Sequence, residues 1–117
     1  MIKKSEWKWY GYAGHFVGGK SCAYHLSTRI GGYLVSTVGD YYPLSNHGKR
    51  ERLGAGEDSW FETFVFKCDG EDVHGDPVVD FSEIDSERYS QSIDAERGHY
   101  RYCEKYAAVM PNKRGTK

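Results

Sequence analysis

The chain has 117 residues and a mass of 13.4 kDa, which fits one domain with a modest core. Its mean hydropathy is low, at −0.74, but aromatic residues make up 15% of the chain, a content typical of a folded domain rather than a disordered one. Sixteen Lys and Arg against 17 Asp and Glu leave a formal net charge of −1, so nucleic acid is not expected as the main partner.

No apolar run approaches the roughly 20 residues needed to cross a bilayer, and the opening residues MIKKSEWKWYGY lack the apolar segment of an export signal. The three Cys are an odd number without the spacing of a disulfide framework, which favours a reducing compartment. We therefore expect a single cytosolic domain across residues 1–117, with no membrane partner.

Strand-forming residues in 6–17, interrupted by glycines, predict a kinked first strand. Gly31-Gly32 then predicts a tight hairpin that joins a strand at 21–30 to a strand at 33–42. This turn fixes the register, which places four cross-strand pairs on one face: Ile30 and Tyr33, Thr28 and Val35, Leu26 and Thr37, Cys22 and Tyr41. The other face carries Arg29 opposite Leu34, Ser27 opposite Ser36, and His25 opposite Val38.

Residues 43–59 are rich in Gly, Asn, Ser and charge, which indicates a long surface loop. WFETFVFKC, at 60–68, has apolar residues on both faces and is typical of a central strand. The following residues 69–87 are acidic and rich in turn-forming residues, so we interpret them as a second loop excursion.

Helical spacing covers Ser92 to Val109, with Ser92 as the cap and Pro111 as the stop. Residues 111–117 are then a flexible tail. The stripe predicted to face the sheet comprises Ile93, Tyr100, Cys103, Ala107 and Met110. Gly98 in the helix interior costs about 1 kcal/mol relative to Ala, which indicates a close contact at that position.

These elements predict an α+β fold, in which an antiparallel sheet of about four strands has the C-terminal helix packed on one face.

Two pairs of soft ligands suggest a metal site. Cys22 and His25 are three residues apart, and His99 and Cys103 are four apart on one face of the predicted helix. Together they could bind zinc tetrahedrally and fix the helix to the sheet. The alternative, which we favour, is that Cys22, Cys68 and Cys103 are small buried hydrophobes and that no cofactor is bound.

Glu62 is the candidate for acid or base catalysis. It alternates with aromatic residues in its strand, so burial would raise the pKa of its carboxyl group. His25, His15, Tyr24 or Arg29 could serve as its partner. The alternative is that Glu62 lies at a strand end and binds a cation or a backbone group.

The ten tyrosines are more than a core of this size can bury, and tyrosine is favoured at protein interfaces. We expect a binding surface formed by a subset of them: Tyr10, Tyr12, Tyr41, Tyr42, Tyr102 and Tyr106.

The motifs YGYAGHF, CAYHLSTRIGGYLVSTVGDYYP, FETFVF and GHYRYCEKYAA resemble a family of small hypothetical proteins of tailed bacteriophages and prophages, a family without an assigned activity. The resemblance implies a phage accessory protein in the host bacterial cytoplasm. Because such proteins often act on host machinery, we expect it to bind a host protein as an inhibitor of a defence system such as CRISPR-Cas. The alternatives are a small enzyme using Glu62 and a zinc-stabilised structural module.

Overall fold

A computed structural model describes the backbone of residues 1–12 and 21–115, with side chains as far as residue 109. Five antiparallel strands form one sheet in the order β1-β2-β3-β4-β5, so each strand pairs with its neighbour in sequence. The elements are β1 (Lys8–Tyr10), β2 (Cys22–Ile30), β3 (Tyr33–Tyr41), β4 (Phe61–Glu71), β5 (Pro77–Tyr89) and the helix α1 (Ser92–Gly115). The predicted α+β class is confirmed, with five strands where about four were expected.

The hairpin of β2 and β3 forms in the predicted register. Every predicted couple is observed, from Ile30 opposite Tyr33 at the turn to Cys22 opposite Tyr41 at the far end. Gly31 has a φ of 59°, a conformation that glycine adopts without steric cost and that suits a tight hairpin turn.

The expectation of a loop excursion over 69–87 was wrong. Residues 69–71 complete β4, and 77–89 form β5, the longest strand of the sheet. Edge strands commonly carry charged residues and bulges that block further pairing, and both features hide the alternation from which a strand is recognised. Three register shifts interrupt the pairing of β4 with β5.

The predicted first strand is much shorter than expected. β1 covers Lys8–Tyr10 and follows a short 3₁₀ turn at Lys4–Glu6. Residues 13–20 of the predicted strand lie outside the described residues.

The helix begins at Ser92 as predicted but continues through Pro111 to Gly115, so residues 111–115 are helical rather than a flexible tail. A proline removes one backbone hydrogen bond and crowds the carbonyl four residues earlier, which weakens a helix without always ending it. No helix among the described residues is long and apolar enough to cross a membrane.

The face of α1 that packs on the sheet differs from the predicted stripe. Cys103 and Ala107 are buried as expected, but Ile93 and Tyr100 are 46% and 41% exposed. The buried stripe instead runs Ala95, Gly98, His99, Cys103, Tyr106 and Ala107. A polar histidine and a glycine near its centre are residue types that a search for apolar periodicity passes over.

The two faces of the sheet carry separate apolar clusters. On the helix side, Ile30, Val35 and Val65 pack against α1, and Trp7 completes this core from the N-terminal segment. On the opposite side a second cluster is formed by Leu34, Phe66 and Cys68, with Tyr10, Phe64 and Val79 packed around it.

Gly98→Ala should destabilise the fold. An added Cβ would lie 2.0 Å from Tyr89 Oη and 2.4 Å from its Cζ, so the ring would have to move. Overpacking costs about 1–3 kcal/mol, which outweighs the roughly 1 kcal/mol that alanine gains in helix propensity. We expect a net loss of up to about 2 kcal/mol in urea denaturation. Gly56→Ala, where a Cβ meets nothing within 4 Å, is the control; equal effects of the two changes would contradict the contact.

Candidate functional site

His99 is the centre of a buried polar network between α1 and the sheet. Its side chain is fully buried; Nε2 lies 2.8 Å from Thr28 Oγ1, and Nδ1 lies 2.7 Å from Thr37 Oγ1. Thr37 Oγ1 in turn lies 2.6 Å from Oγ1 of Thr63, its direct partner across β3 and β4. Both ring nitrogens of His99 therefore have a hydroxyl partner, each on a different strand.

Tyr89 extends this network at one end, and Cys103 is buried on the same face of α1 as His99. The Tyr89 hydroxyl donates to Thr63 Oγ1 at 3.1 Å, and Cys103 follows His99 by one helical turn. Burial raises the pKa of the Cys103 thiol to about 12. Because the thiolate is the nucleophilic form, this buried thiol is unsuited to nucleophilic catalysis at neutral pH.

Burial also lowers the pKa of His99 from 6.5 to about 4, because the desolvated site disfavours the charged imidazolium. At neutral pH the ring is therefore uncharged, with one nitrogen that donates and one that accepts. A neutral imidazole between two hydroxyl groups satisfies all three side chains without a buried charge.

The four residues predicted as zinc ligands do not form one cluster. His99 and Cys103 share the buried face of α1, as their spacing predicts, but both nitrogens of His99 bind threonine hydroxyls. Burial raises the pKa of the Cys22 thiol to about 11. Within residues 1–12 and 21–109, no group of three or more His, Cys, Asp and Glu is arranged to hold a metal ion.

Glu62 lies on the sheet face opposite α1, in a cross-strand row with His25, Val38 and Arg88. It is only 7% exposed, and its Oε2 lies 3.3 Å from Arg88 Nε. Burial raises the pKa of the Glu62 carboxyl group, and the Arg88 guanidinium opposes this shift. Val38 stands between Glu62 and His25 in the row, so the two candidate catalytic groups share a face but are not direct neighbours.

His25 and Ser27 add two further polar groups to this face. They are two residues apart on β2 and therefore point to the same side. His25 Nδ1 and Ser27 Oγ are buried without a hydrogen-bond partner among the described residues. A buried unsatisfied group costs about 1–3 kcal/mol, so a water or ligand atom at this position would be stabilising. The third catalytic candidate, His15, lies outside the described residues.

Tyr10 and Tyr12, two of the predicted binding residues, contact the tip of the β4–β5 hairpin. Their ring centroids are 5.6 Å apart; Tyr10 donates to Glu71 at 3.2 Å and Tyr12 donates to Asp76 at 3.1 Å. Tyr10 points away from α1, because its neighbour Trp9 packs against the buried imidazole. The hairpin tip therefore contacts the N-terminal segment on the side of the sheet opposite α1.

The other four predicted binding tyrosines lie elsewhere. Tyr41 and Tyr42 are at the far end of β3, where Tyr42 is 44% exposed. Tyr102 and Tyr106 lie on α1 beside β5; Tyr106 is buried and donates to Asp85 at 2.9 Å. The six tyrosines thus occupy three separate regions of the surface rather than one.

The most acidic segment of the chain is the acidic hairpin, residues 69–87. It contains eight Asp and Glu and no Lys or Arg. Three of these carboxylates form ion pairs: Glu71 with Lys8, Asp85 with Lys105, and Glu87 with Arg101. The remaining five have no ion pair within the described part of the chain: Asp69, Asp72, Asp76, Asp80 and Glu83.

Large apolar side chains are exposed on the same hairpin. Val78, Phe81 and Ile84 are 45%, 51% and 44% exposed along β5. Phe81 also contacts Phe66 of the second core cluster, with ring centroids 5.4 Å apart. Several exposed apolar side chains among charged residues on one strand are a feature of interaction surfaces.

Neither the threonine network nor the β5 surface was predicted from the sequence. The threonine network could have been recognised in the sequence, because the predicted register already placed Thr28 and Thr37 on one face of the hairpin. The β5 surface was harder to recognise in the sequence. Its residues Val78, Phe81 and Ile84 are three positions apart, a spacing that matches neither a regular strand nor a long helix.

Comparison with known protein families, curated proteins and solved structures finds no match to the chain.

The buried His99 should make stability depend on pH. Since its folded pKa of about 4 lies below the ordinary 6.5, the unfolded chain binds the proton first as the pH falls. This stabilisation is complete above pH 6.5 and is lost as the pH falls towards 4. Between pH 7 and pH 5 we expect the parent to lose about 2 kcal/mol more than His99→Gln does in urea denaturation. His74→Gln, at an exposed turn, should keep the parent profile; an identical profile for His99→Gln would contradict the assignment.

The ion pair of Glu62 and Arg88 should be coupled energetically. Arg88→Met removes the cation beside a buried carboxylate, and because Arg88 is half exposed we expect a loss of about 1–2 kcal/mol at pH 7. In a Glu62→Gln background the same change should cost less, because no buried charge needs compensation. A double-mutant cycle by urea denaturation measures the difference, with exposed Arg97→Met as the control. Equal losses in both backgrounds would show that the pair contributes nothing.

Proposed function

We propose that the protein is a binding protein for another protein and that it docks through the acidic hairpin together with Tyr10 and Tyr12. The observation that carries the proposal is the exposure of Val78, Phe81 and Ile84 on one edge strand. Aromatic and aliphatic anchors of this kind supply most of the free energy of binding at protein interfaces.

Tyr12 gives this surface a second anchor of a favoured type. It is 42% exposed, and its contact with Asp76 fixes the phenol ring at the hairpin tip. Burial, with the hydrogen bond to Asp76, raises the pKa of Tyr12 to about 12, so the hydroxyl stays protonated. A held aromatic ring loses little conformational entropy when a partner covers it.

The partner that we propose is a host bacterial protein, and the setting is the host cytoplasm. The support is the resemblance to small proteins of tailed bacteriophages, which implies an accessory protein that acts on host machinery. Inhibition of a defence system such as CRISPR-Cas is the specific form of this proposal. The acidic character of the docking surface also favours a protein over a nucleic acid as the partner.

A small enzyme that uses Glu62 is the second candidate. The observation that favours it is the raised pKa of this buried carboxyl group, on the same face as His25 Nδ1 and Ser27 Oγ. In that case Glu62 would act as the acid or base and His25 would orient the substrate. Its test is a panel of ester, phosphate and glycoside substrates; turnover by the parent that Glu62→Gln abolishes would favour this candidate over the docking protein.

Tyr12→Ala should weaken partner binding, whereas Tyr42→Ala should not. The two tyrosines are matched in exposure, at 42% and 44%, but only Tyr12 lies at the acidic hairpin. The measurement is quantitative mass spectrometry of proteins retained from a bacterial lysate. We expect at least an approximately tenfold loss of the specifically retained protein for Tyr12→Ala, equivalent to about 1.4 kcal/mol. Unchanged thermal unfolding of both variants is the control, and equal retention by both would refute this surface.

A further inference from the structure

Two of the three exposed apolar side chains of β5, those of Phe81 and Ile84, lie at bulges. Phe66 pairs with Glu83 while the next residue of β4, Lys67, pairs with Asp80, so Phe81 and Ser82 are extra residues in β5. Bulges leave the extra residue outside the ladder and redirect its side chain. The first bulge therefore accounts for the exposure of Phe81.

A second bulge follows at once. Val65 pairs with Asp85 and Phe66 with Glu83, which leaves Ile84 as one more extra residue. Because a third register shift separates Pro77 from Val79, regular pairing is confined to 79–80 and 85–89. A strand from another protein could not add along the whole edge, because the bulges interrupt the row of outward backbone groups. Docking at the centre of β5 must therefore use side chains.

Carboxylates surround these side chains. Asp80 precedes Phe81, and Glu83 precedes Ile84; neither has an ion pair within the described part of the chain. Asp80 accepts a hydrogen bond from the backbone N–H of Ser82, which holds its carboxylate at the first bulge. The surface thus combines apolar anchors with fixed negative charge.

Lys67 pairs with Asp80 across β4 and β5, but one nearby lysine does not neutralise the five carboxylates of the hairpin that lack an ion pair within the described part of the chain. Arg50 and Arg52 each stack on Trp60, with the guanidinium carbon 4.5 Å from the ring centroid. Trp60 precedes β4, whereas Phe66, the partner of Glu83, lies six residues further along the chain, roughly 20 Å of strand away. This distance exceeds the screening length of about 8 Å at physiological salt, so Arg50 and Arg52 do not neutralise Glu83.

We infer that the partner presents a groove rich in Lys and Arg, and that Phe81 and Ile84 contact apolar groups inside this groove while Asp80 and Glu83 contact its basic residues. This inference rests on the proposed function and specifies the chemistry of the partner. Charge complementarity of this kind raises association rates and excludes acidic competitors.

A second copy of the chain is a weaker occupant. Two of its basic residues are already neutralised: Arg50 lies 3.0 Å from Asp40, and Arg88 lies 3.3 Å from Glu62. A separate protein with an uncompensated basic groove offers more electrostatic attraction to the hairpin.

The probe is the heparin-binding fraction of a bacterial lysate, compared with its flow-through, on immobilised full-length chain. Two double variants test the hairpin: Phe81→Ser with Ile84→Ser, and Asp80→Lys with Glu83→Lys. Their matched controls lie outside it: Ile93→Ser for the apolar change, and Glu57→Lys with Glu96→Lys for the same change in net charge. We expect retention from the heparin-binding fraction to fall at least about tenfold for both hairpin variants and to stay within about twofold for the controls.

The other outcomes separate the two proposals. Loss with Phe81→Ser and Ile84→Ser but not with charge reversal, or retention from the flow-through alone, would overturn the basic partner and leave the docking function standing. Retention that neither hairpin variant reduces, or no retention by the parent, would overturn both. A parent dimer in sedimentation that charge reversal dissolves, without a retained lysate protein, would assign the surface to a second copy and also overturn the inference.

Discussion

The position of the helix depends on one neutral imidazole. His99 bridges Thr28 on β2 and Thr37 on β3, and Thr37 passes the connection to Thr63 on β4, so a single side chain links α1 to three strands. Each of these buried groups would be costly without its partner, and a shift of α1 by one residue would leave several of them unsatisfied. The network therefore sets the register of the helix more strictly than the surrounding apolar contacts could.

That register determines what the rest of the surface can do. With His99 and Gly98 against the sheet, Lys105 and Arg101 reach the carboxylates of Asp85 and Glu87 at the end of β5. The helix thus neutralises one end of the acidic hairpin and leaves the centre and tip charged. The position of the packed helix therefore determines which carboxylates of the proposed docking surface are neutralised.

The sequence predicted the elements with strong local signals and missed those that depend on tertiary context. Gly31-Gly32 and the alternation around it determined the β2–β3 register, and the close contact at Gly98 was predicted from the cost of glycine in a helix. β5 was missed because bulges at Phe81 and Ile84 destroy its alternation. Period two allowed a buried Glu62, and the alternative placed it at a strand end beside a cation. Glu62 is buried, is the second residue of β4 and binds Arg88, which is 26 residues away in sequence and is positioned by the pairing of β4 with β5.

The meander also determines the order in which the protein can assemble on the ribosome. Every strand pairs with its sequence neighbour, so the sheet can form progressively as the chain emerges. His99 is synthesised only after all five strands, and until then Thr28, Thr37 and Thr63 face water, which satisfies their hydroxyl groups at no cost. The helix-facing side of the nascent sheet is therefore less apolar at these three positions than a purely apolar interface would be, which lowers the tendency of the unfinished chain to self-associate before its last segment is made.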